Sequence, residues 1–113
     1  MEEILNKAYG KGNYSIIFTE ANTFVTVFVD NLALCSYNAK NGDAKARAAW
    51  DNSVEAVRDT SSALSDLFEQ LGRTRMGVAF AYSDPEFSDK VFIVAMNGKV
   101  YLDAVNNINL LGQ

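Results

Sequence analysis

Three acids in the segment YSDPEFSDK, residues 82–90, are the side chains whose spacing first suggests chemistry. Asp84, Glu86 and Asp89 flank the chain's only proline, Pro85. Carboxylates bind hard cations, but a calcium site uses six or more oxygens, and this segment lacks the glycine that an EF-hand loop places at its sixth position. Asp followed by Pro favours a type I turn. We therefore expect a polar hairpin tip without a metal, and a contact with a partner is the alternative.

Three other segments could bind a ligand or react, and each has a simpler structural explanation. NAKNGD, residues 38–43, is rich in oxygen atoms, but a turn followed by a helix N-cap at Asp43 accounts for every residue. GKG, residues 10–12, lacks the spacing and the Ser/Thr of a phosphate-binding loop. Cys35 lies in an apolar run with no activating base nearby in sequence. We predict neither a cofactor nor a metal site.

The chain contains no histidine. This excludes Ser-His-Asp and Cys-His catalysis, the common zinc sites and the common pH switch. An enzyme could still use Asp, Glu, Lys or Tyr, but no such residues are convincingly paired. The sequence therefore predicts no catalytic residues and a protein that is not an enzyme.

Five acids that recur near helical spacing form the second candidate site, an acidic helix flank consisting of Asp51, Glu55, Asp59, Asp66 and Glu69. An ordinary solvated face explains these residues. The functional alternative is a strip of carboxylates presented to the basic groove of a partner. Such a strip can compete with nucleic acid, as in small viral inhibitors of nucleic-acid-processing or defence enzymes.

The helix that carries this flank is the best-supported element. A largely apolar stripe has residues spaced three or four apart, as one face of a helix requires, with Ser61 as its one polar member. The stripe consists of Ala46, Trp50, Val54, Val57, Ser61, Leu64, Phe68 and Leu71. Asp43 can cap the start of the helix, and Gly72 can end it. At 1.5 Å per residue the helix would be about 40 Å long.

Before this helix, the periodicity predicts a short helix over 2–9 and strands over 14–19, 24–29 and 32–37. Asp30 and Asn31 suit a tight turn because both residue types tolerate positive φ. One long strand over 23–37, bulged at these two residues, is the alternative.

After the long helix, alternation predicts strands over 76–82, 91–96 and 100–104. Asn97-Gly98 is a strong signal for a two-residue hairpin turn. The expected fold is thus a single α+β domain over residues 1–113. It has an antiparallel sheet of five or six strands with one long amphipathic helix on one face, in the order short α-βββ-long α-βββ.

One long helix covers only one face of such a sheet. Gly77, Ala79 and Ala81 would let a helix approach closely, so we expect the helix on their face. The opposite face would then present large side chains that bind a partner or a ligand: Phe24, Phe28, Phe80, Tyr82, Phe92 and Tyr101. If five or six of these side chains stayed in water, the fold would lose about 10 kcal/mol of the free energy gained by burying apolar surface. A second subunit, a partner, a ligand or the terminal segments should therefore cover them.

Bulk properties narrow the class of partner. The net charge of −4 and the pI of about 4.6 argue against binding to nucleic acid or to an anionic membrane. A single cysteine and the lack of a signal peptide or a membrane-spanning run favour a cytoplasmic protein.

The predicted function is a non-catalytic protein–protein interaction module, an adaptor, chaperone or inhibitor. We expect it to form a homodimer and to bind another protein through the apolar sheet face, the acidic helix flank or both. The alternatives are the acidic viral-type inhibitor and a small-molecule sensor or carrier with Phe28, Tyr82 and Tyr101 in its pocket. In outline, the element order resembles the roadblock-type dimerisation modules and the small acidic chaperones of secretion systems. In the roadblock-type modules, a helix covers one face of an antiparallel sheet.

Overall fold

The computed structural model of the protein describes residues 13–18, 22–70, 77–87 and 90–110, which contain two helices and six strands. We name them in chain order: β1 (Tyr14–Phe18), β2 (Asn22–Phe28), α1 (Leu32–Lys40), α2 (Ala44–Gln70), β3 (Gly77–Ser83), β4 (Ile93–Met96), β5 (Lys99–Asp103) and β6 (Ile108–Asn109). A single 3-10 turn, Pro85–Phe87, lies between β3 and β4. The helix predicted over 2–9 lies outside the described residues.

The six strands form one sheet in the order β1-β2-β3-β4-β5-β6. All neighbours are antiparallel except β2 and β3, which run parallel. A parallel pair needs a long crossover, and α1 with α2 supplies it. The predicted α+β class with a long helix against the sheet is confirmed, but the predicted purely antiparallel sheet is wrong, since the sheet is mixed.

The strand predicted over 32–37 is also wrong, because these residues belong to α1. Asn31 adopts a φ of 64°, as expected for the turn, but its side chain does not cap the helix. The Ala33 N–H instead donates to Asp84 Oδ2 at 3.0 Å, so a residue just after β3 satisfies the first turn of α1. No residue near 32–37 in the sequence provides this cap, and an apolar run this short fits a strand as well as a helix.

Helix α2 agrees with its prediction. The Ala46 N–H donates to Asp43 Oδ1 at 3.0 Å, which confirms the N-cap. Along the predicted stripe, Trp50, Val57 and Ser61 have no exposed surface and Leu64 is buried. The predicted end at Gly72 lies outside the described residues.

The face of the sheet that α2 covers is the opposite of the one expected. Residues Val78 and Phe80 of β3 point toward α2, whereas Ala79 and Ala81 point away. The buried core between α2 and the sheet consists mainly of Trp50, Val57, Leu64, Val25, Val27, Val78, Phe80, Ile93 and Ala95. Close packing explains this choice, because large side chains from both layers fill the space between a helix and a sheet, whereas a row of alanines would leave voids.

The hairpin between β4 and β5 has the predicted turn. Asn97 and Gly98 have φ angles of 51° and 80°, as a type I′ turn requires. The Gly98 N–H also donates to Ser61 Oγ at 3.0 Å, which attaches this turn to α2. The short strand β6, which the sequence did not predict, pairs with the end of β5.

Candidate functional site

The sheet face that points away from α2, which we call the far face, is the main candidate site. It carries Phe24 and Thr26 of β2, Ala79 and Ala81 of β3, Val94 and Met96 of β4, and Leu102 of β5. These residues share one face because side chains alternate along each strand and paired residues in neighbouring strands point the same way. The small alanines lie on the central strand, with larger side chains on both neighbours.

This arrangement forms an apolar groove of about 210 Å³, lined by Phe24, Val25, Thr26, Ala79, Ala81, Val91, Val94 and Met96. None of these residues is charged. Two of them reach the surface, since Phe24 and Val91 are each 40% exposed. Ile17, which pairs with Phe24 across β1 and β2, is 58% exposed. Chemically, the groove can accept an apolar group. Thr26 supplies the one hydroxyl of its lining, and none of the lining residues is an acid or a base.

The sheet-face residues predicted from the sequence do not form one surface. Phe24 and Phe28 lie on the far-face side of β2 by alternation. Phe80 is completely buried under α2, with its ring 5.8 Å from that of Tyr82 between centroids, and Phe92 packs against the same core. Phe80, Tyr82 and Phe92 therefore lie on the covered side, and placing them on a free surface was wrong because the helix packs on the large residues of β3.

The sixth predicted residue, Tyr101, is half-buried. The amine of Lys99 lies 5.4 Å from the centroid of its ring, which is within the range of a cation–π contact. Sequence reasoning missed Ala79, Ala81 and Val94 as site residues. Their small or branched side chains give no signal until the side of the sheet that the helix covers is known.

The acidic helix flank is exposed along its whole length, since Asp51, Glu55, Asp59, Asp66 and Glu69 all face solvent. Two arginines offset part of its charge. Arg47 lies 3.6 Å from Asp51, and Arg58 lies 3.9 Å from Glu55 and 3.7 Å from Asp59. Ion pairs this exposed contribute little stability, so the carboxylates can exchange them for other partners.

A buried polar cluster at the end of β5, which the sequence did not reveal, joins the sheet to α2. Asp103 is only 2% exposed. Its Oδ1 accepts from Trp50 Nε1 at 2.8 Å and from the N–H groups of Val105 and Asn106 at 3.0 Å, and its Oδ2 accepts from Asn106 Nδ2 at 2.6 Å. Arg47 donates in turn to Asn106 Oδ1.

Two opposing influences act on the Asp103 carboxyl. Burial is the largest and raises its pKa, but the hydrogen bonds from Asn106, Trp50 and Val105 together outweigh burial and hold the pKa below its usual value of 3.8. The carboxylate therefore stays ionised with its acceptor sites filled, which is a structural role. A buried Trp N–H needs an acceptor, and that requirement is the one sequence-level hint of this cluster.

The segment 82–90 also has a structural role. The Phe87 N–H donates to the Asp84 carbonyl at 2.9 Å, which confirms a turn. Asp84 is only 3% exposed, and its side chain accepts from the Ala33 N–H at 3.0 Å and from the Glu86 N–H at 2.9 Å. Glu86 is exposed, and Asp89 lies outside the described residues. Within the described ranges, no three Asp, Glu, Cys or His side chains come close enough together to hold a metal ion.

Cys35 is half-buried between α1 and α2, where its thiol donates to the Ala46 carbonyl at 3.5 Å. Burial, with a smaller contribution from the charge of Asp43, raises the pKa of the Cys35 thiol. A raised pKa lowers the thiolate fraction at neutral pH, which is the opposite of what a nucleophile needs.

A scan against protein-family models, a search of curated proteins and a search of solved structures find no match to this chain. In the part of the chain that the structure describes, neither helix is both long and apolar enough to cross a bilayer. The geometry of the far face and of the acidic helix flank is thus the basis for a functional proposal.

Proposed function

We propose that the protein is a non-catalytic protein–protein interaction module, of the adaptor, chaperone or inhibitor kind, that forms a homodimer through the far face. The observation that carries the proposal is the apolar groove with Phe24 and Val91 at its border, each 40% exposed. Exposed apolar patches of this kind mark interaction sites. An uncharged lining favours an apolar partner group over a charged one.

The groove and Phe24 are complementary to each other. An engineered apolar cavity of about 150 Å³ accommodates benzene, so a groove of about 210 Å³ is large enough for one aromatic ring. In a two-fold symmetric dimer both copies use the same patch. The two far faces would pack as sheets do, about 10 Å apart, with each Phe24 ring in the groove of the other copy.

The size of the face indicates how strong this association is. Strands β2 and β3 have seven residues each and are about 23 Å long, and β1 to β5 span four strand spacings, or about 19 Å. The flat footprint is then roughly 450 Å², against about 800 Å² of accessible surface per partner in a standard interface. We therefore propose a weak, reversible dimer.

The dimensions also favour a protein over a small molecule as the occupant. Pockets for drug-sized ligands measure about 300–1,000 Å³, so this groove is smaller than the range for a sensor or carrier.

The acidic helix flank lies on the other side of the sheet, where a dimer leaves it accessible. We propose this flank as the contact for a second, basic protein, and the cytoplasm as the location, since a single free cysteine fits a reducing compartment.

Sedimentation velocity over a concentration series tests the dimer. Phe24→Asp replaces the proposed inserted ring with a charge, and the symmetry brings two such charges into one interface. The matched control is Leu34→Asp on α1, because Leu34 is also exposed, at 57%, but lies on the helical side. Both variants should keep the circular dichroism spectrum of the wild type.

We expect concentration-dependent dimerisation for the wild type and for Leu34→Asp. Association of Phe24→Asp should be weaker by at least about tenfold. A wild type that stays monomeric at the highest attainable concentration would refute the homodimer. Equal weakening by both substitutions would refute the far face as its interface.

A further inference from the structure

The chain contains two Asn-Gly dipeptides, Asn41-Gly42 between α1 and α2 and Asn97-Gly98 between β4 and β5. Asn-Gly is the dipeptide most prone to spontaneous deamidation, because glycine has no side chain to hinder attack by its own nitrogen. We propose that Asn41 is a site of spontaneous deamidation in the folded protein, and that Ser61 protects Asn97 from the same reaction.

The reaction needs only water and base. The Gly42 amide nitrogen loses its proton and attacks Asn41 Cγ, forming the new N–Cγ bond of a five-membered succinimide. The Cγ–Nδ2 bond breaks, and Nδ2 leaves as ammonia after taking up a proton. Water then opens the ring at either carbonyl, giving aspartate or isoaspartate, so one water is consumed for each ammonia released and nothing is oxidised or reduced.

The Asn41-Gly42 turn is held by hydrogen bonds to the end of α1. The Asn41 N–H donates to the Tyr37 and Asn38 carbonyls, both at 3.2 Å, and the Asp43 N–H donates to the Asn38 carbonyl at 3.0 Å. Both residues are exposed, and apart from Gly42 and its two neighbours in the chain, no heavy atom of the described residues lies within 4 Å of the position a Gly42 Cβ would occupy. The nitrogen that must attack, Gly42 N, is held only by a long hydrogen bond of 3.3 Å to the Ala39 carbonyl. The Asn41 side chain donates to the Tyr37 carbonyl at 2.9 Å. All these contacts lie within the last turn of α1, and helix ends open readily.

The Asn97-Gly98 turn is held by a separate element. The Gly98 N–H donates to Ser61 Oγ at 3.0 Å. Ser61 has no exposed surface, and its hydroxyl donates to the Arg58 carbonyl at 2.7 Å, which fixes its position on α2. On either side of the turn, Met96 and Lys99 are paired in the sheet. Gly98 N can attack only after the hairpin separates from α2.

Deamidation at Asn41 would change the junction between the two helices. The new carboxylate cannot donate to the Tyr37 carbonyl, so the hydrogen bond from Asn41 Nδ2 is lost. It also places a negative charge at the C-terminus of α1, where the helix dipole disfavours it, two residues before the acidic N-cap Asp43. The deamidated protein should therefore unfold at a lower temperature than the fresh protein.

The test is incubation of the full chain at mildly alkaline pH, followed by peptide mapping with mass spectrometry. In the folded protein, Asn41 should deamidate at least about tenfold faster than Asn97, which corresponds to the loss of one well-formed hydrogen bond. In urea the two rates should converge. If Asn97 reacts as fast as Asn41 in the folded protein, the proposal is wrong.

Ser61→Ala tests the protection directly, and the adjacent Ser62→Ala is its control because no hydrogen bond joins Ser62 to Gly98 in the described part of the chain. We expect Ser61→Ala to accelerate the reaction of Asn97 alone, leaving Asn41 unchanged. An unchanged Asn97 rate in a folded Ser61→Ala protein would overturn the role of Ser61. Amide hydrogen exchange of the wild type checks the same point without a variant, since the Gly98 N–H should exchange more slowly than that of Gly42.

Discussion

Asp103→Asn removes the charge from the buried polar cluster while keeping the shape of the side chain. The carboxylate accepts four hydrogen bonds, from Trp50 Nε1, from two backbone N–H groups and from Asn106 Nδ2. An amide oxygen can keep the three bonds to Oδ1, but the new Nδ2 group would meet Asn106 Nδ2, so two donors would face each other. Asn106 cannot rotate its amide without losing the bond from Arg47.

The expected cost follows from these bonds. A hydrogen bond to a charged group contributes about 1.5–3 kcal/mol, and one between neutral groups about 0.5–1.5 kcal/mol. Losing one bond and weakening three by about 1 kcal/mol each would together cost about 4–6 kcal/mol. A neutral amide costs less to bury than a carboxylate, which offsets part of this loss, so Asp103→Asn should be less stable by about 2–4 kcal/mol at neutral pH. Asp66→Asn is the matched control, because Asp66 is exposed and such surface changes usually stay within about 0.5 kcal/mol.

The pH dependence separates charge from shape. The folded pKa of Asp103 lies below its usual value of 3.8, so its ionised form stabilises the fold at every pH above that value. This contribution is lost as the pH falls below 3.8 and through the folded pKa. The difference in unfolding free energy between the wild type and Asp103→Asn should therefore be constant near neutral pH and shrink in acid.

Urea unfolding followed by the fluorescence of Trp50, the chain's only tryptophan and itself a donor to Asp103, measures this difference. If Asp103→Asn is as stable as the wild type at pH 7, the cluster does not stabilise the fold. If the difference is the same at pH 7 and at about pH 3, the loss comes from shape and not from the ionised carboxylate.

Three further predictions concern the fold and can be measured by urea unfolding. Asp84→Ala removes the acceptor of the Ala33 N–H and should lower the free energy of unfolding by about 1–2 kcal/mol, whereas Glu86→Gln should not change it measurably. Equal losses for the two variants would contradict the role of Asp84 as the cap of α1. Gly98→Ala should cost about 1 kcal/mol or more because of the φ of 80°, and an unchanged stability would show that the turn adapts. Phe80→Ala should cost about 3–5 kcal/mol, and a loss below about 1 kcal/mol would place Phe80 outside the core.

The parts of the fold that the sequence predicted correctly are those set by local interactions. Helix α2 has a long apolar stripe and its own N-cap, Asp43, and the β4–β5 turn has Asn97-Gly98, whose positive φ angles few other dipeptides tolerate. Helix α1 has neither signal. It is short, and its first turn is satisfied by Asp84, which is 51 positions from Ala33 in the chain.

The side of the sheet that faces α2 could not be predicted for a similar reason. Strand β3 alternates small with large residues, and both rows are apolar, so alternation alone does not show which row faces the helix. The prediction relied on close approach over Ala79 and Ala81, whereas the fold fills the interlayer space with Phe80 and Trp50. Half of the predicted sheet-face residues were therefore placed on the wrong surface.

Because α2 packs on the side of the sheet that carries Phe80, the proposed dimer has less apolar surface left to bury. Burying six exposed aromatic residues would have contributed about 10 kcal/mol to association and made the dimer nearly obligatory. In the structure, however, α2 already buries Phe80 and partly covers Tyr82 and Phe92. The exposed parts of Ile17, Phe24 and Val91 leave roughly 2–4 kcal/mol per copy to be gained, or 4–8 kcal/mol for two copies. Since association itself costs about 4–15 kcal/mol, this gain supports only a weak dimer. The described part of the monomer then has a buried core of its own. In the proposed dimer, self-association would respond to concentration or to a competing partner, as the proposed adaptor role requires.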